Sequence, residues 1–294
     1  DNKEFSAFYG NRIIEGRTGE EGGLLELDEL LDMIFDNEET AKYISRRIYS
    51  FFVYNEISDS VEENVITPLA QIFRENDYEI MPVLKALFKS EHFYEEAFKG
   101  ALIKSPLDNI LGYWRTFNLE KDQTEGLVND FVKNKRLVWY MADIGMEIGD
   151  PPNVAGWTAY YQAPQYDKAW ITSTTITRRI KISDTSLYWG FWIASGRKTY
   201  VDILDFISSL DNPADPNALI EESSFLLLGI DISTEEKNEL KSSLLSGQQN
   251  DDYWTNAWTE YLADPENTSL QDTLLNRLKP TFKQLLQMGE YQLM

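Results

Sequence analysis

No cysteine occurs in the chain, which excludes disulfides, thiolate metal sites and a cysteine nucleophile together. Histidine is represented once, by His92. Any Ser-His-Asp triad would have to use it, and a multi-histidine zinc or iron site cannot be assembled within one chain. Its setting, Ser90-Glu91-His92-Phe93-Tyr94, reads as the start of a helix. No apolar run approaches about 18 residues, so no spanning helix is predicted, and Asp1-Asn2-Lys3-Glu4 has neither the charge nor the apolar core of a signal peptide. Because the chain opens on Asp1, a processed or truncated product is expected, from which an export signal would already be gone. Gly-x-Gly-x-x-Gly, Gly-x-x-x-x-Gly-Lys-Ser and Gly-x-Ser-x-Gly are all missing, and with them the common nucleotide and hydrolase signatures. Neither a metal nor a cofactor is expected. There is no fixed-period repeat and no low-complexity tract.

Positive charge is scarce, with 27 Lys and Arg against 49 Asp and Glu and a net charge of −22. Nucleic-acid binding depends on neutralising phosphates with Lys and Arg, so no nucleic-acid partner is expected. The deficit is uneven. Residues 1–40 carry −9, residues 41–164 carry −5 and residues 201–294 carry −12, whereas residues 165–200 hold six basic against two acidic side chains.

What is present is a chain of 294 residues with 43% hydrophobic content, enough to bury a sizeable core as one large domain or two of ordinary size. A short hairpin is expected only in residues 1–23, where glycines punctuate an extended piece. From Leu24 the period turns helical: Leu24, Leu27, Leu30, Leu31, Ile34 and Phe35 share a face. Asp36-Asn37 caps a second helix, with Glu38 and Glu39 in its first turn. Further helices are predicted over 61–75, 80–89, 92–100, from Ser105-Pro106 through Phe117, and over 128–144, where Phe131, Leu137, Val138 and Met141 are candidate core. Beyond the loop described next, helices are predicted over 172–181, 217–228, 234–245 with Ser233 and Glu236 as a capping box, 251–262, and 269–288 interrupted at Pro280. Residues 187–193 are an aromatic-dense stretch ending at Ser195-Gly196. The turn cluster Asp211-Asn212-Pro213-Ala214-Asp215-Pro216 is the best internal boundary. It gives 1–210 as a core and 211–294 as a helical segment packed on it in one continuous domain. The expected class is all-α: a multi-helix bundle of roughly ten to fourteen helices.

The whole is organised around Gly149-Asp150-Pro151-Pro152-Asn153-Val154-Ala155-Gly156-Trp157, continued by Trp170-Ile171 and Thr177-Arg178-Arg179. Two prolines that fix φ and two glycines that permit φ values closed to other residues make residues 149–172 one long irregular loop. At this loop and arginine pair the chain resembles a large bacterial family known as domain of unknown function 1800. The helix Glu39-Thr40-Ala41-Lys42-Tyr43-Ile44-Ser45-Arg46-Arg47, the element Lys104-Ser105-Pro106 and the ending Met288-Gly289-Glu290-Tyr291-Gln292-Leu293 are similar to further elements of that family, in the same order. The resemblance spans nearly the whole chain and is to the C-terminal part of a family member. It implies a further helical region ahead of a domain boundary at Asp1. It also implies an exported bacterial protein, periplasmic or extracellular, often encoded beside a second exported family related to sulfatases. It supplies no catalytic residues.

Three readings follow. The leading one is a non-catalytic, envelope-associated or secreted binding or assembly module, with a protein or a glycan as partner and a ligand surface made of Trp157, Trp170, Arg178, Arg179, Asp150 and Asn153. Guanidinium forks match carboxylate, sulfate and phosphate groups; the alternative role for the arginines is to pin the long loop through its carbonyls. The second reading is an enzyme, or an enzyme's partner, acting on glycans or sulfated polymers. It would use Asp143, Glu147 or Asp150, with Asp143 and Glu147 on one helix face beside Trp157, Tyr160, Tyr161 and Trp170. The third is a scaffold that assembles through an apolar strip at 187–193. The aspartates of 211–215 and 251–252 lack EF-hand spacing and are read as helix caps.

Overall fold

The computed structural model describes residues 1–119, 126–194 and 196–294; Ser195, expected to end the aromatic stretch, lies outside them. Twelve helices and two short antiparallel strand pairs are found among these residues, and the fold is mostly α as expected. The chain packs as two compact units, Asp1–Phe98 and Lys99–Met294. The turn cluster at 211–216 lies inside the second.

The first unit opens with the expected hairpin, β1 (Lys3–Glu4) pairing with β2 (Ile13–Ile14) in the register Lys3↔Ile14 and Glu4↔Ile13. Helix α1 (Gly19–Asp36) follows, then α2 (Glu38–Phe52), whose first turn is capped by Asn37 accepting from Glu39 N at 2.9 Å. Helix α3 (59–75) contains a π-helical turn at Glu62–Ile66, and α4 spans Ile80–Lys89. The core is built by α2 to α4, from Tyr49, Ile66, Leu69, Phe73, Val83 and Leu87. The leucine stripe on α1 is different: Leu24, Leu27, Leu31 and Phe35 are exposed, and Met33 is the large side chain that helix buries. The predicted helix over 92–100 is replaced by two 3₁₀ turns, Glu91–Tyr94 and Glu96–Phe98. His92 donates or accepts there as a bridge, with Nε2 2.9 Å from the Tyr49 hydroxyl and Nδ1 2.9 Å from Glu95.

The second unit contains α5 (Pro106–Thr116), α6 (Leu127–Asp143), the long loop, α7 (Ser173–Asp184), β3 (Phe191–Ala194), β4 (Arg197–Thr199), α8 (Ile203–Ser208), α9 (Pro216–Leu228), α10 (Thr234–Leu244), α11 (Asp252–Ala263) and α12 (Thr268–Gln287). Its caps are the ones the local sequence dictates. Ser105 and Asp108 form a capping box on α5, as do Ser233 and Glu236 on α10, and Asp215 caps α9 through Asn217 N. Asp251 instead accepts from Lys241 at 2.8 Å and from Asn217.

Helix α12 is the central strut. Leu274, Leu278, Phe282 and Leu285 are buried along it, and α7, α8, α10 and α11 pack around it. It continues through Pro280 without interruption. Trp254 and Trp258 stack at 5.9 Å beneath α11, and the Trp254 indole donates to the Pro213 carbonyl at 2.8 Å, so the aspartate-rich turn is fastened from inside.

Two expectations are corrected here. Residues 191–199 form a second hairpin, in which the pleat buries Phe191 and Ile193 and turns Trp192 outward. Phe131 on α6 is exposed, whereas Met141 is buried and Leu137 packs against the core.

Candidate functional site

Helix α6 ends at Asp143, and the chain turns at Gly145 before entering the loop. Asp143 and Glu147 therefore do not occupy successive turns of one helix, and the paired-carboxylate face expected from their spacing does not form. Both are exposed, as is Asp150, and the Asp143 carboxylate is engaged by Arg178 Nη1 at 3.0 Å.

The loop is shaped by its own sequence. Gly149 and Gly156 take φ values of 89° and 93°, which L side chains avoid. Between them Asn153 organises the tip. Its side-chain oxygen accepts from Ala155 N at 2.9 Å, its carbonyl accepts from Gly156 N at 3.0 Å, and its amide donates to the Tyr161 hydroxyl at 2.8 Å. Residues 150–155 are exposed, Val154 completely.

The base of the loop is anchored. Trp170 is 6% exposed and sits with Met146 and Ala159 against Ile103 and Leu107. Its ring lies 6.1 Å from that of the half-buried Trp157 and 5.6 Å from that of Tyr160. Two 3₁₀ turns, Thr158–Tyr160 and Tyr166–Trp170, frame this aromatic group, and Asp167 ties it down by accepting from Ile103 N at 2.8 Å.

The arginine pair divides. Arg178 is exposed and donates to the Asp143 carbonyl at 2.8 Å as well as to its carboxylate. Arg179 is 2% exposed and reaches the other way, to the Lys104 carbonyl at 2.9 Å and to Gln292 Oε1 at 3.3 Å. Both arginines hold backbone carbonyls, though not those of the loop that the pinning reading expected. The carbonyls they hold belong to residues 143 and 104, on either side of α5 and α6. Burial pulls the Arg179 guanidinium down to about 10, with Asp108 opposing; its Nε has no hydrogen-bond partner among the described residues.

Around Arg179 the structure gathers residues that the local sequence could not bring together. Gln292 Oε1 also accepts from Asn109, the Gln292 carbonyl accepts from Lys104 N at 2.8 Å, and the Lys104 ammonium donates to the Tyr291 carbonyl at 2.7 Å while lying 4.5 Å from the centre of the Tyr291 ring. Lys104 also lines a cleft of about 260 Å³ with Asp108, Thr116, Leu226 and Tyr291. The one signal for this cluster was the Lys-Ser-Pro element and the Tyr-Gln ending, which the sequence set more than a hundred and eighty positions apart.

Burial holds the Lys104 ammonium down at about 8, against an ordinary value of 10.5; Asp108 opposes this and Arg179 adds to it. Below about 8 Lys104 is charged in both the folded and the unfolded chain, and its desolvation cost is carried in full. Between about 8 and 10.5 the unfolded chain binds more protons than the folded one, so this contribution makes stability rise with pH. Lys104→Met should therefore be less destabilising at pH 7 than at pH 10 in urea unfolding. A gap between wild type and variant that stays flat or narrows with rising pH would contradict the burial of that charge.

Among the described residues no group of three or more His, Asp or Glu side chains is placed to hold a metal ion, and no helix is long and apolar enough to cross a membrane. No curated protein and no solved structure matches the chain significantly. A family model described as "protein of unknown function (DUF1800)" matches residues 4–293. The loop, the Lys104-Ser105-Pro106 element, the arginine pair and the Tyr291-Gln292 ending all fall within that span, and the chain belongs to this family, whose function is unknown.

Proposed function

We propose that the chain is a non-catalytic binding or assembly module of the bacterial envelope or exterior, whose contact surface is the tip of the loop between Asp150 and Trp157. The observation that carries this reading is the contrast within one loop: an exposed tip, with Val154 fully in solvent, on a base locked by the buried Trp170. A rigid, protruding segment is pre-organised for recognition, because little ordering remains to be done on binding. Asp150, Asn153 and Trp157 supply contacts, Arg178 borders them, and Trp170 and Arg179 hold the surface from below. The tip residues Pro151, Pro152 and Val154 are uncharged and apolar, which suits a protein partner better than a sulfated glycan. The resemblance to exported bacterial proteins supports a periplasmic or extracellular site of action. The enzymatic alternative has less behind it, since Asp143 is neutralised by Arg178 and Glu147 lies beyond the end of α6.

The test uses Val154→Arg and Asn153→Ala. Val154 is solvated on all sides, so its substitution should leave the melting temperature unchanged while reducing binding about tenfold or more. Binding would be measured against a panel of oligosaccharides and sulfated glycans, and against envelope proteins cross-linked to the wild type, identified and titrated in purified form. Binding that survives both variants at full strength would mean that the tip is not the contact surface.

A further inference from the structure

A second exposed surface, which shares no residue with the loop, is formed by α6 and the hairpin β3–β4. On α6 the residues Val128, Phe131, Lys135 and Trp139 follow one another at three, four and four positions and so stand on one stripe. Val128 and Phe131 are exposed and Trp139 is 48% exposed. The opposite side of the helix packs on the core through Leu137 and Tyr140. The Tyr140 hydroxyl accepts from Trp192 N at 3.2 Å, which sets the hairpin alongside. There Trp192 is 45% exposed and Trp189, just before the strand, is 67% exposed.

Cations are interleaved with these rings. Arg136 lies 4.4 Å and Lys135 5.4 Å from the centre of the Trp139 ring, and Lys198 lies 4.7 Å from that of Trp192 while donating to the Trp189 carbonyl. Among the described residues no carboxylate lies at ion-pair distance from Lys135, Arg136, Arg197 or Lys198, and Asp143, one turn beyond Trp139, is held by Arg178. In a chain of net charge −22, three cations without an ion pair among the described residues, Lys135, Arg136 and Lys198, stand beside three exposed indoles and form a sharply sorted patch.

We infer that this face docks on an anionic lipid surface, with Trp139, Trp189 and Trp192 at headgroup depth and Lys135, Arg136 and Lys198 paired with lipid phosphates. Indole rings, apolar in body with one polar N–H, favour the membrane–water interface, and each nearby Lys or Arg strengthens attachment to an anionic leaflet. Val128 and Phe131 extend the apolar part along the helix, in the manner of interfacial segments that lie on a bilayer without crossing it. The contact is peripheral. The acidic remainder of the chain does not cancel the patch, because charges more than about 10 Å away are screened at ordinary ionic strength. Stacking on sugars is less well served, since Trp139 and Trp192 already carry cations over their rings.

The experiment is co-sedimentation of the full chain with phosphatidylcholine vesicles, pure or with about one-third phosphatidylglycerol, followed by tryptophan emission with lipids brominated in the acyl chains. Expected are at least about tenfold stronger partitioning onto the anionic vesicles, a blue shift and quenching, with partitioning cut about tenfold in Trp189→Ser/Trp192→Ser and in Lys135→Glu/Arg136→Glu. Trp189, Trp192 and Lys135 are exposed and Arg136 is partly so, and melting should stay close to wild type; if a double variant melts early, the single substitution Trp189→Ser replaces it. Val154→Arg in the loop should bind vesicles like wild type, which separates failure here from failure of the loop. No preference for anionic vesicles, equal binding by the variants, or binding to dextran sulfate without binding to vesicles would overturn the assignment, the last in favour of an acidic polymer.

Discussion

Arg179→Ala is expected to lower the unfolding free energy by about 3–5 kcal/mol, the range for removing one member of a buried, hydrogen-bonded charge network. Arg179 is 2% exposed and donates to the Lys104 carbonyl and to Gln292 Oε1. Truncation leaves the carbonyl without that donor, inside the protein where water cannot replace it, and opens a void the size of the side chain. Arg179→Met keeps most of the apolar stem and so separates the two effects; it should recover about 1–2 kcal/mol of the loss. The neighbouring Arg178→Ala serves as the contrast. It breaks an exposed pair with Asp143 and should cost no more than about 1 kcal/mol. Chemical denaturation of the three variants decides the matter: equal losses at the two arginines would contradict the division of labour seen between them.

Trp170→Ala should be comparably severe, at about 3–5 kcal/mol for removing a buried tryptophan. The indole fills the space between Met146, Ala159, Ile103 and Leu107 and contacts the rings of Trp157 and Tyr160. Its loss also frees the loop locally, so limited proteolysis between residues 150 and 157 should accelerate even under conditions where the variant remains folded. Trp170→Phe should retain most of the stability, and Trp157→Ala, half-exposed in the native chain, should cost about 1–2 kcal/mol. A Trp170→Ala variant as stable and as protease-resistant as wild type would leave the loop without the anchor that its proposed role requires.

Much of the architecture was legible because it is written locally. Asn37, Ser105, Asp215 and Ser233 announce helix starts through short-range hydrogen bonds that depend on no distant partner. Prolines and glycines likewise mark residues 149–157 as a loop whatever surrounds it. The errors arose where context decides. The leucine stripe of α1 has helical period, but period alone does not state which face another element covers, and here Leu24, Leu27 and Leu31 stay in solvent. The hairpin at 191–199 did carry a signal, Phe191 and Ile193 alternating with Trp192 between Gly190 and Gly196, but three alternations are a short pattern beside an aromatic run. Of the candidate site residues, Asp150, Asn153 and Trp157 are accessible; Trp170 and Arg179 are interior. No local rule could show that the arginine after the loop meets the glutamine at position 292, since that contact spans 113 residues.

The pairing of the last residues with the segment before α5 bears on the order in which the chain acquires its structure. Leu102 and Met294 exchange backbone hydrogen bonds, Lys104 N donates to Gln292, and Ile103 bridges Leu293. A ribosome emits Lys104 long before Gln292, and contacts so distant in sequence form late because the closure entropy of the intervening chain must be met first. The first unit has an interior of its own from residues 41–87 and can be complete while the second is still being made. Until Gln292 and Tyr291 have been made, Arg179 and Lys104 lack acceptors that they use in the folded protein, so this corner of the second unit is completed after most of the chain has been synthesised.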